Sequence, residues 1–251
     1  MRCTHVGTAT LLLEIGEKRL LTDPALDAAG QRYVFRVGLA STKTEQPALP
    51  AGGLLPLDAV LVSHDHHADN LDAEGRKLLP AAGRVLTTVS GARRLGGNAH
   101  GLAPWESVLL GDLTVTAVPA RHGPPGIELV DWETTGFVLE WPGQKKGALY
   151  ISGDTTWFPG ISEIGRRFKI GTAILHLGGV KFPLTGPLRY AFTAEGAVKA
   201  AEALGRPQVV PVHYAGWTHF AEPREKFEQA FRDAGLSVQW LPRGEPTELD
   251  V

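Results

Sequence analysis

The sequence predicts an α/β fold in which two β-sheets pack face to face, with helices on the outer sides. Two observations support this prediction. Short apolar runs bounded by Gly, Pro and Asp dominate the first part of the chain, which is typical of strands. Later, apolar runs alternate with longer helical patterns, as in strand–helix units. Because strands occur along the whole chain and helices mainly between them, the two sheets are expected to share one core.

Turn residues and apolar periodicity place the individual elements. Strands are expected at 11–15, 19–22, 58–63, 84–87, 107–110, 113–118, 135–140, 148–151, 172–175, 208–212 and 237–241, and helices at 71–80, 194–204 and 224–234. Residues 24–57 show no clear period and are interpreted as a long loop that borders the site. No linker is evident, so residues 1–251 are expected to form a single domain.

Composition limits the classes of function. The 251 residues carry a formal net charge of −2, so no bulk field favours nucleic acid or an anionic membrane. Cys3 is the only cysteine, which excludes an internal disulfide. No apolar run approaches the ~20 residues of a membrane span, and the N-terminus lacks a signal-peptide core. We therefore expect a cytoplasmic protein that acts on a small-molecule substrate. The sequence leaves open whether the chain forms a homo-oligomer.

The strongest chemical signal is the segment from Ser63 to Asn70, which holds three histidines and two aspartates directly after a strand. His64 and His66 stand two residues apart, where two imidazoles can converge on one cation. Asp69 offers a carboxylate a few residues later. Scattered histidines in a polar loop are the alternative, but the density of ligand types argues against it.

A cation needs further ligands, and these are expected at other strand ends. His122, Asp154 and His213 each come just after the carboxyl end of a short apolar strand. Gly153 would allow a close backbone approach beside Asp154. The sequence therefore predicts a metal site of His64, His66, Asp69, His122, Asp154 and His213.

This ordered set resembles the metallo-β-lactamase superfamily, in its phospholipase D-like and ascorbate-phosphate-lactonase-like branch. The resemblance covers nearly the whole chain and includes Asp23-Pro24 after a strand, the motif that starts at His64, and the segments around His122, Asp154 and His213. It implies a four-layer αββα sandwich with one or two ions in a cleft at the sheet edges. Zn²⁺ is the expected ion, with Mn²⁺ or Fe²⁺ as alternatives.

The motif departs from the family pattern His-x-His-x-Asp-His. One inserted residue places Asp69 in the aspartate position and Asn70 in the final histidine position; without the insertion, Ala68 and Asp69 occupy them. Either alignment leaves the second metal site one histidine short. Asn70 and His67 are the candidates to replace that ligand. We therefore expect a tight first site and a looser second one, whose oxygen ligands suit manganese or magnesium better than zinc.

A bound divalent cation makes hydroxide available near neutral pH, so the predicted function is hydrolysis of a small ester, lactone or phosphodiester. Asp69 is the candidate for holding or deprotonating the water, and His176 and His219 are candidates for the leaving-group acid. Four aromatic residues lie in loops, where they either line a substrate pocket or take part in ordinary packing: Trp132, Trp157, Phe158 and Trp217. The alternatives are a mononuclear iron oxygenase of the same fold and a non-catalytic metal-binding protein.

Overall fold

The computed structural model describes residues 1–36, 39–124 and 133–251. Its strands are β1 Arg2–Gly7, β2 Thr10–Ile15, β3 Lys18–Thr22, β4 Arg32–Arg36, β5 Leu39–Thr42, β6 Ala59–Leu61, β7 Val85–Thr88, β8 Ala99–Leu102, β9 Ser107–Leu110, β10 Leu113–Pro119, β11 Thr135–Glu140, β12 Ala148–Ile151, β13 Ile170–His176, β14 Gln208–Val212 and β15 Pro246–Glu248. Its α-helices are α1 Ala51–Leu54, α2 Ala73–Leu78, α3 Val89–Leu95, α4 Pro159–Arg167, α5 Ala194–Ala203 and α6 Arg224–Asp233, and short 3-10 turns cover Leu79–Ala81 and Pro183–Thr185.

Two large sheets and one hairpin contain these strands. The first sheet has the order β15-β1-β2-β3-β6-β7-β8, and the second has the order β14-β13-β12-β11-β10-β9. Antiparallel pairs connect β1 to β3, whereas β3, β6, β7 and β8 run parallel. In the second sheet β12, β13 and β14 are parallel. Parallel neighbours bring their carboxyl ends to the same sheet edge, which is where the polar motifs begin.

Three apolar clusters fill the spaces between four layers. The cluster between the sheets includes Leu13 and Leu61 of the first sheet and Val115 and Ile174 of the second. A second cluster joins the outer face of the second sheet to α4, α5 and α6. A third joins the outer face of the first sheet to α1 and α2. The predicted αββα sandwich is therefore confirmed, and no helix within the described ranges combines the length and apolar character of a membrane span.

Most predicted elements lie within a few residues of the observed ones, but two predictions were wrong. Residues 24–57 are more than a loop, because they contain the β4–β5 hairpin and the short helix α1. Residues 237–241 form no strand; only an isolated bridge joins Val238 to Val209. The sequence also gave no clear signal for β1, α3, β8, α4 or β15. Of these, β8 and β15 are short strands at the two edges of the first sheet, where tertiary contacts rather than local pattern decide.

A buried lysine anchors the β4–β5 hairpin. Lys43 follows β5, is 2% exposed, and its Nζ donates to Asp72 Oδ2 at 3.0 Å and to the carbonyl of Ala25 at 2.7 Å. Asp72 also caps α2 by accepting from the backbone of Gly75. At the other side of the hairpin, the hydroxyl of Tyr33 donates to Asp27 Oδ2 at 2.5 Å. These bonds fix the hairpin against the start of α2, next to the histidine motif.

Candidate metal centre

Polar residues from both sheets meet at one edge of the sandwich. The histidine motif follows β6 of the first sheet, whereas His122, Asp154 and His213 follow β10, β12 and β14 of the second. The buried residues of this edge form two neighbouring groups, each with three potential ligand atoms close enough to surround one cation. The first group is His64, His67 and His122, and the second is Asp69, Asp154 and His213.

In the first group, three imidazole nitrogens converge. His64 Nε2 and His122 Nε2 each lie 3.0 Å from His67 Nδ1. An imidazole nitrogen carries either one hydrogen or one in-plane lone pair, so His67 Nδ1 can satisfy only one of these contacts as a hydrogen bond. Ligands at roughly 2.1 Å from a tetrahedral zinc ion lie about 3.4 Å apart. The donor set and its spacing therefore fit a metal ion better than a purely hydrogen-bonded cluster.

Burial keeps these three histidines neutral. It lowers the pKa of His67 to about 4, and it lowers the pKa of His64 and His122 well below the ordinary range. The neutral ring, with its free lone pair, is the form that binds a metal. The first group therefore has no proton to lose before it binds a cation at neutral pH.

His66 lies outside this group. The sequence motif predicts it as a ligand, whereas the structure brings His67 together with His64 and His122. The preceding residue, Asp65, is buried and pairs with Arg94, whose Nη2 lies 2.7 Å from Asp65 Oδ1. The side chain of His66, the next residue, is 20% exposed. With His64 and His67 as the candidate ligands, the inserted residue would fall between them rather than after the second histidine.

The second group combines two carboxylates with His213. His213 Nε2 lies 3.3 Å from Asp69 Oδ2 and 3.5 Å from Asp154 Oδ2. The same oxygen of Asp154 lies 3.8 Å from His122 Nε2 in the first group. Asp154 therefore stands between the two groups, where a carboxylate can bridge two cations.

Charge in the second group is not balanced by the protein. Burial alone would raise the pKa of Asp69, but hydrogen bonds with His213 and His219 hold it well below its usual range. Burial raises the pKa of Asp154, and the charge of Asp69 raises it further. Burial also opposes the charge of His213, yet Asp154 and Asp69 raise its pKa to about 9. A divalent cation would neutralise this excess of buried negative charge.

Three buried oxygens accept no hydrogen bond from any residue in the described ranges: Asp69 Oδ1 and Asp154 Oδ2 of the second group, and Oδ1 of the neighbouring Asn70. Asn70 uses its amide nitrogen to donate to Asp154 Oδ1 at 3.3 Å. Buried oxygens without donors are costly, and oxygen ligands suit hard cations. The second group therefore fits a cation too, with an amide where the family pattern has a histidine.

Residues behind the ligands hold them in place. Asp23 Oδ1 accepts from the backbone of Ser63 at 2.7 Å, and Ser63 Oγ lies 3.0 Å from His64 Nδ1. His176 Nε2 lies 3.2 Å from Asp23 Oδ2, and His176 is fully buried. This predicted acid thus contacts the supporting aspartate and does not line the cleft. Such partners fix the ring orientation of a ligand and its tautomer.

Gly153 is required by the approach of two loops. Its φ is +59°, and a Cβ there would lie 2.5 Å from the carbonyl oxygen of Thr135 and 2.9 Å from Ser63 Cβ. Only glycine avoids both the backbone strain and these contacts. The predicted tight approach beside Asp154 is therefore confirmed.

A small cleft with about 10 Å³ of free space, room for about one water molecule, opens onto the two groups. Its lining includes His219, whose Nε2 lies 3.0 Å from Asp69 Oδ2 and whose Nδ1 bonds to Ser41 Oγ. Phe35 of β4 also lines the cleft. Ser41 and Phe35 belong to segment 24–57, which therefore borders the cleft as expected.

Sequence reasoning missed the aromatic lining, because Phe35, Phe182 and Tyr190 lie far from any ligand motif. Of the four aromatic residues that it proposed, Trp132 lies outside the described residues. Trp217 is buried beneath the cleft, with its ring 5.7 Å from that of His219. Phe158 packs against the second-sheet cluster, and Trp157 is 37% exposed at a neighbouring depression. None of the three described residues lines the cleft.

A family model described as a β-lactamase superfamily domain matches residues 18–214. The match covers more than half of the chain and includes every candidate ligand. The chain belongs to the β-lactamase superfamily. The sequence-based assignment to this superfamily is thus confirmed, whereas the narrower branch stays a prediction.

Known proteins and solved structures resemble this chain over nearly its full length. A UPF0173 metal-dependent hydrolase from Methanosphaerula palustris is 29% identical over 99% of this chain and 100% of its own length. The structure of an isothiocyanate hydrolase from Delia radicum gut bacteria has a TM-score of 0.82 at 23% identity, covering 100% of this chain and 99% of that one. A possible metal-dependent hydrolase from Veillonella parvula has a TM-score of 0.84 at 19% identity, covering 99% of both chains. At these identities the two structures support the fold alone.

The two groups of this superfamily member are expected to bind zinc in two distinguishable steps. The first group holds neutral histidines, so its affinity should change little between pH 7 and 8.5. His213, with its pKa raised to about 9, must lose a proton to bind a metal, so the second step should strengthen roughly tenfold per pH unit over this range. Calorimetric titration of the metal-free protein at both pH values measures this. Two steps of equal affinity, or a second step that weakens as the pH rises, would contradict the assignment.

Proposed function

We propose that this chain is a zinc-dependent hydrolase, with manganese or iron as alternative ions, that acts on a small ester, lactone or phosphodiester. His64, His67 and His122 would hold the first ion, and Asp69, Asp154 and His213 the second. The observation that supports this most strongly is the convergence of three neutral imidazole nitrogens, within 3.0 Å contacts, beside two buried carboxylates. The naming of relatives such as that of Methanosphaerula palustris as metal-dependent hydrolases points to the same class.

A divalent cation in this centre would supply hydroxide near neutral pH and polarise the bond under attack. Asp69 is the residue best placed to orient the attacking water. Asp69 is among the residues that line the cleft. Its Oδ2 is held by His213 and His219, and its Oδ1 is buried and accepts no hydrogen bond from the described residues. That oxygen can take the proton of a water molecule or hold the water in position.

His219 is a better candidate than His176 for protonating the leaving group. His219 lines the cleft, and its ring is fixed between Asp69 and Ser41. His176 bonds instead to Asp23 and Ser152, on the side of the ligands away from the cleft. We therefore assign His176 the role of a positioning residue, because it acts on the ligands through Asp23.

The test uses the protein purified without chelator, loaded with zinc, manganese or iron, and offered phenyl acetate, γ-butyrolactone and methyl phenyl phosphate. Turnover of at least one substrate is expected. Asp69→Asn should lower kcat by about 100-fold or more, since the amide cannot accept the proton of the water. Asp112→Asn, at a surface turn between β9 and β10, is the matched control and should retain full activity. Oxygen consumption by the iron form without hydrolysis would favour an oxygenase, and metal binding without turnover would favour a non-catalytic metal protein.

A further inference from the structure

We propose that Ser41 positions His219 with its hydrogen on Nε2, so that the ring acts as a fixed hydrogen-bond donor to Asp69. Thr218 supports Ser41 in turn. The inference rests on the proposed hydrolase function, in which Asp69 orients the attacking water, and it adds two positioning residues to that site. Ser41 lies on β5 of the hairpin, whereas Thr218 and His219 lie in the segment that follows β14.

A continuous chain of hydrogen bonds connects these residues. It begins at the backbone amide of Thr42, which donates to Thr218 Oγ1 at 3.0 Å. Thr218 Oγ1 lies 3.1 Å from Ser41 Oγ, and Ser41 Oγ is bonded to His219 Nδ1. On the other side of the ring, His219 Nε2 lies 3.0 Å from Asp69 Oδ2. Both ring nitrogens are therefore engaged within the protein.

The carboxylate end of the chain fixes the position of every hydrogen along it. An ionised carboxylate can only accept, so His219 Nε2 must carry the hydrogen that it donates to Asp69. The Nδ1 atom of a neutral ring then has only a lone pair, which accepts the hydroxyl hydrogen of Ser41. Ser41 has no second hydrogen, so it accepts from Thr218, and Thr218 accepts from the amide of Thr42. The opposite tautomer would set the lone pair of Nε2 against Asp69.

Aromatic neighbours keep the ring of His219 in the orientation that this chain needs. The ring of Phe182 stacks on it, with centroids 5.2 Å apart and planes at 11°. Phe35 and Phe220 meet it edge-on at 5.4 Å and 4.8 Å. His219 and Ser41 are both buried. In a closely packed interior such a ring cannot exchange its two nitrogens without displacing its neighbours, so its polar partners decide which nitrogen carries the hydrogen.

This chain explains why Asp69 presents one particular oxygen for catalysis. The hydrogen on His219 Nε2 occupies Asp69 Oδ2, whereas Asp69 Oδ1 accepts no hydrogen bond from the described residues. Oδ1 is thus the oxygen left for the attacking water. Any proton that His219 supplies to a leaving group passes through Asp69, because both ring nitrogens are engaged. Ser41 and Thr218 touch neither water nor substrate and act only through His219.

Nitrogen NMR of the zinc-loaded protein, with ¹⁵N in the histidine rings, tests the position of the hydrogen without turnover. A ring nitrogen that carries a hydrogen resonates far from one that does not, and the signals of His219 are those that disappear in His219→Gln. At pH 8 we expect a hydrogen on Nε2 and a hydrogen-bonded lone pair on Nδ1. In Ser41→Ala the Nδ1 signal should move to the position of a nitrogen without a hydrogen bond.

The kinetic test uses whichever substrate of the panel the wild-type protein hydrolyses. Ser41→Ala should lower kcat about tenfold with little change in KM, since the partners behind a metal ligand contribute 10–100-fold to affinity or activity. Ser41→Thr keeps the hydroxyl and should restore most of the activity. Thr218→Val should lower kcat by about fivefold, the effect of one lost hydrogen bond.

Ser107→Ala is the matched control and should keep full activity. Ser107 Oγ lies 2.9 Å from Thr116 Oγ1, so it makes the same kind of serine–threonine contact, but on β9 and β10. Circular dichroism shows whether each variant has folded.

A hydrogen on Nδ1 in the wild-type protein would overturn the inference, and so would an Nδ1 signal that does not change in Ser41→Ala. Full kcat in a folded Ser41→Ala protein would overturn the positioning role of Ser41 and leave the hydrolase function standing. If the wild-type protein hydrolyses none of the substrates, the proposed function fails, and the NMR spectra alone then decide where the hydrogen of His219 lies.

Discussion

Alanine in place of His67 is expected to remove zinc from the first group, whereas alanine in place of His66 is expected to leave it bound. His67 Nδ1 lies 3.0 Å from both His64 Nε2 and His122 Nε2, and His66 is not part of this group. Loss of a residue that supports a metal ligand costs about 10–100-fold in affinity, so loss of a ligand should cost at least ~100-fold. The measurement is zinc per chain by atomic emission after dialysis against buffer without chelator.

His64→Ala and His122→Ala provide the comparison and should behave like His67→Ala. Circular dichroism of each variant shows whether the chain has folded. If His67→Ala keeps its zinc while His66→Ala loses it, the histidine spacing of the family pattern holds after all. The loop at Asp65 would then have to move when metal binds.

Replacing Lys43 by methionine is expected to destabilise the protein by about 3 kcal/mol, because it leaves the buried carboxylate of Asp72 without its partner cation. Methionine has a similar length and keeps most of the apolar packing. Urea unfolding, followed by tryptophan fluorescence, measures the loss. The change should also lower activity, since the hairpin that Lys43 anchors carries Phe35 and Ser41 to the cleft.

Lys145→Met is the matched control, because Lys145 is exposed at a surface turn; its effect should stay within about 0.5 kcal/mol. The double variant Lys43→Met with Asp72→Asn should recover part of the stability by removing the buried charge. A Lys43→Met protein as stable as the control would show that the ion pair is offset by its desolvation and that other contacts hold the hairpin.

Much of the second half of the fold could be predicted from local pattern. Gln208–Val212 is a run of apolar residues between a helix and a histidine, and the predicted strand matches β14 in its bounds. Residues 237–241 lie beside β14 at the edge of the second sheet, but they share with it only the bridge from Val238 to Val209, so no strand forms there. The β4–β5 hairpin was missed because side chains distant in sequence hold it, above all Asp72 through Lys43.

The residues of the candidate metal centre also fall into some that the local sequence pattern predicts and others that it does not. His64, His122, Asp154 and His213 could be found because each directly follows a strand, and the carboxyl ends of neighbouring strands meet at one edge. The choice between His66 and His67 could not be made from spacing alone. His67 rather than His66 lies with His64 and His122 in the folded chain, and the neighbouring Asp65 is bound by Arg94 of α3, 29 positions away, a contact that spacing in the sequence does not reveal. The aromatic residues that line the cleft could not be predicted either, because contacts between residues distant in sequence bring them together.

The division of ligands between the two sheets has a consequence for the folded protein as a whole. The first sheet supplies His64 and His67, and the second supplies His122. An ion in the first group would therefore connect the two sheets at the edge of the sandwich. Binding that favours the native arrangement adds to its free energy of unfolding in proportion to the logarithm of ion concentration. When the ion is scarce, the packing of the two sheets against each other would lose this stabilisation, and catalysis would stop. The amount of folded protein and its resistance to proteases would therefore rise and fall with the supply of the metal ion.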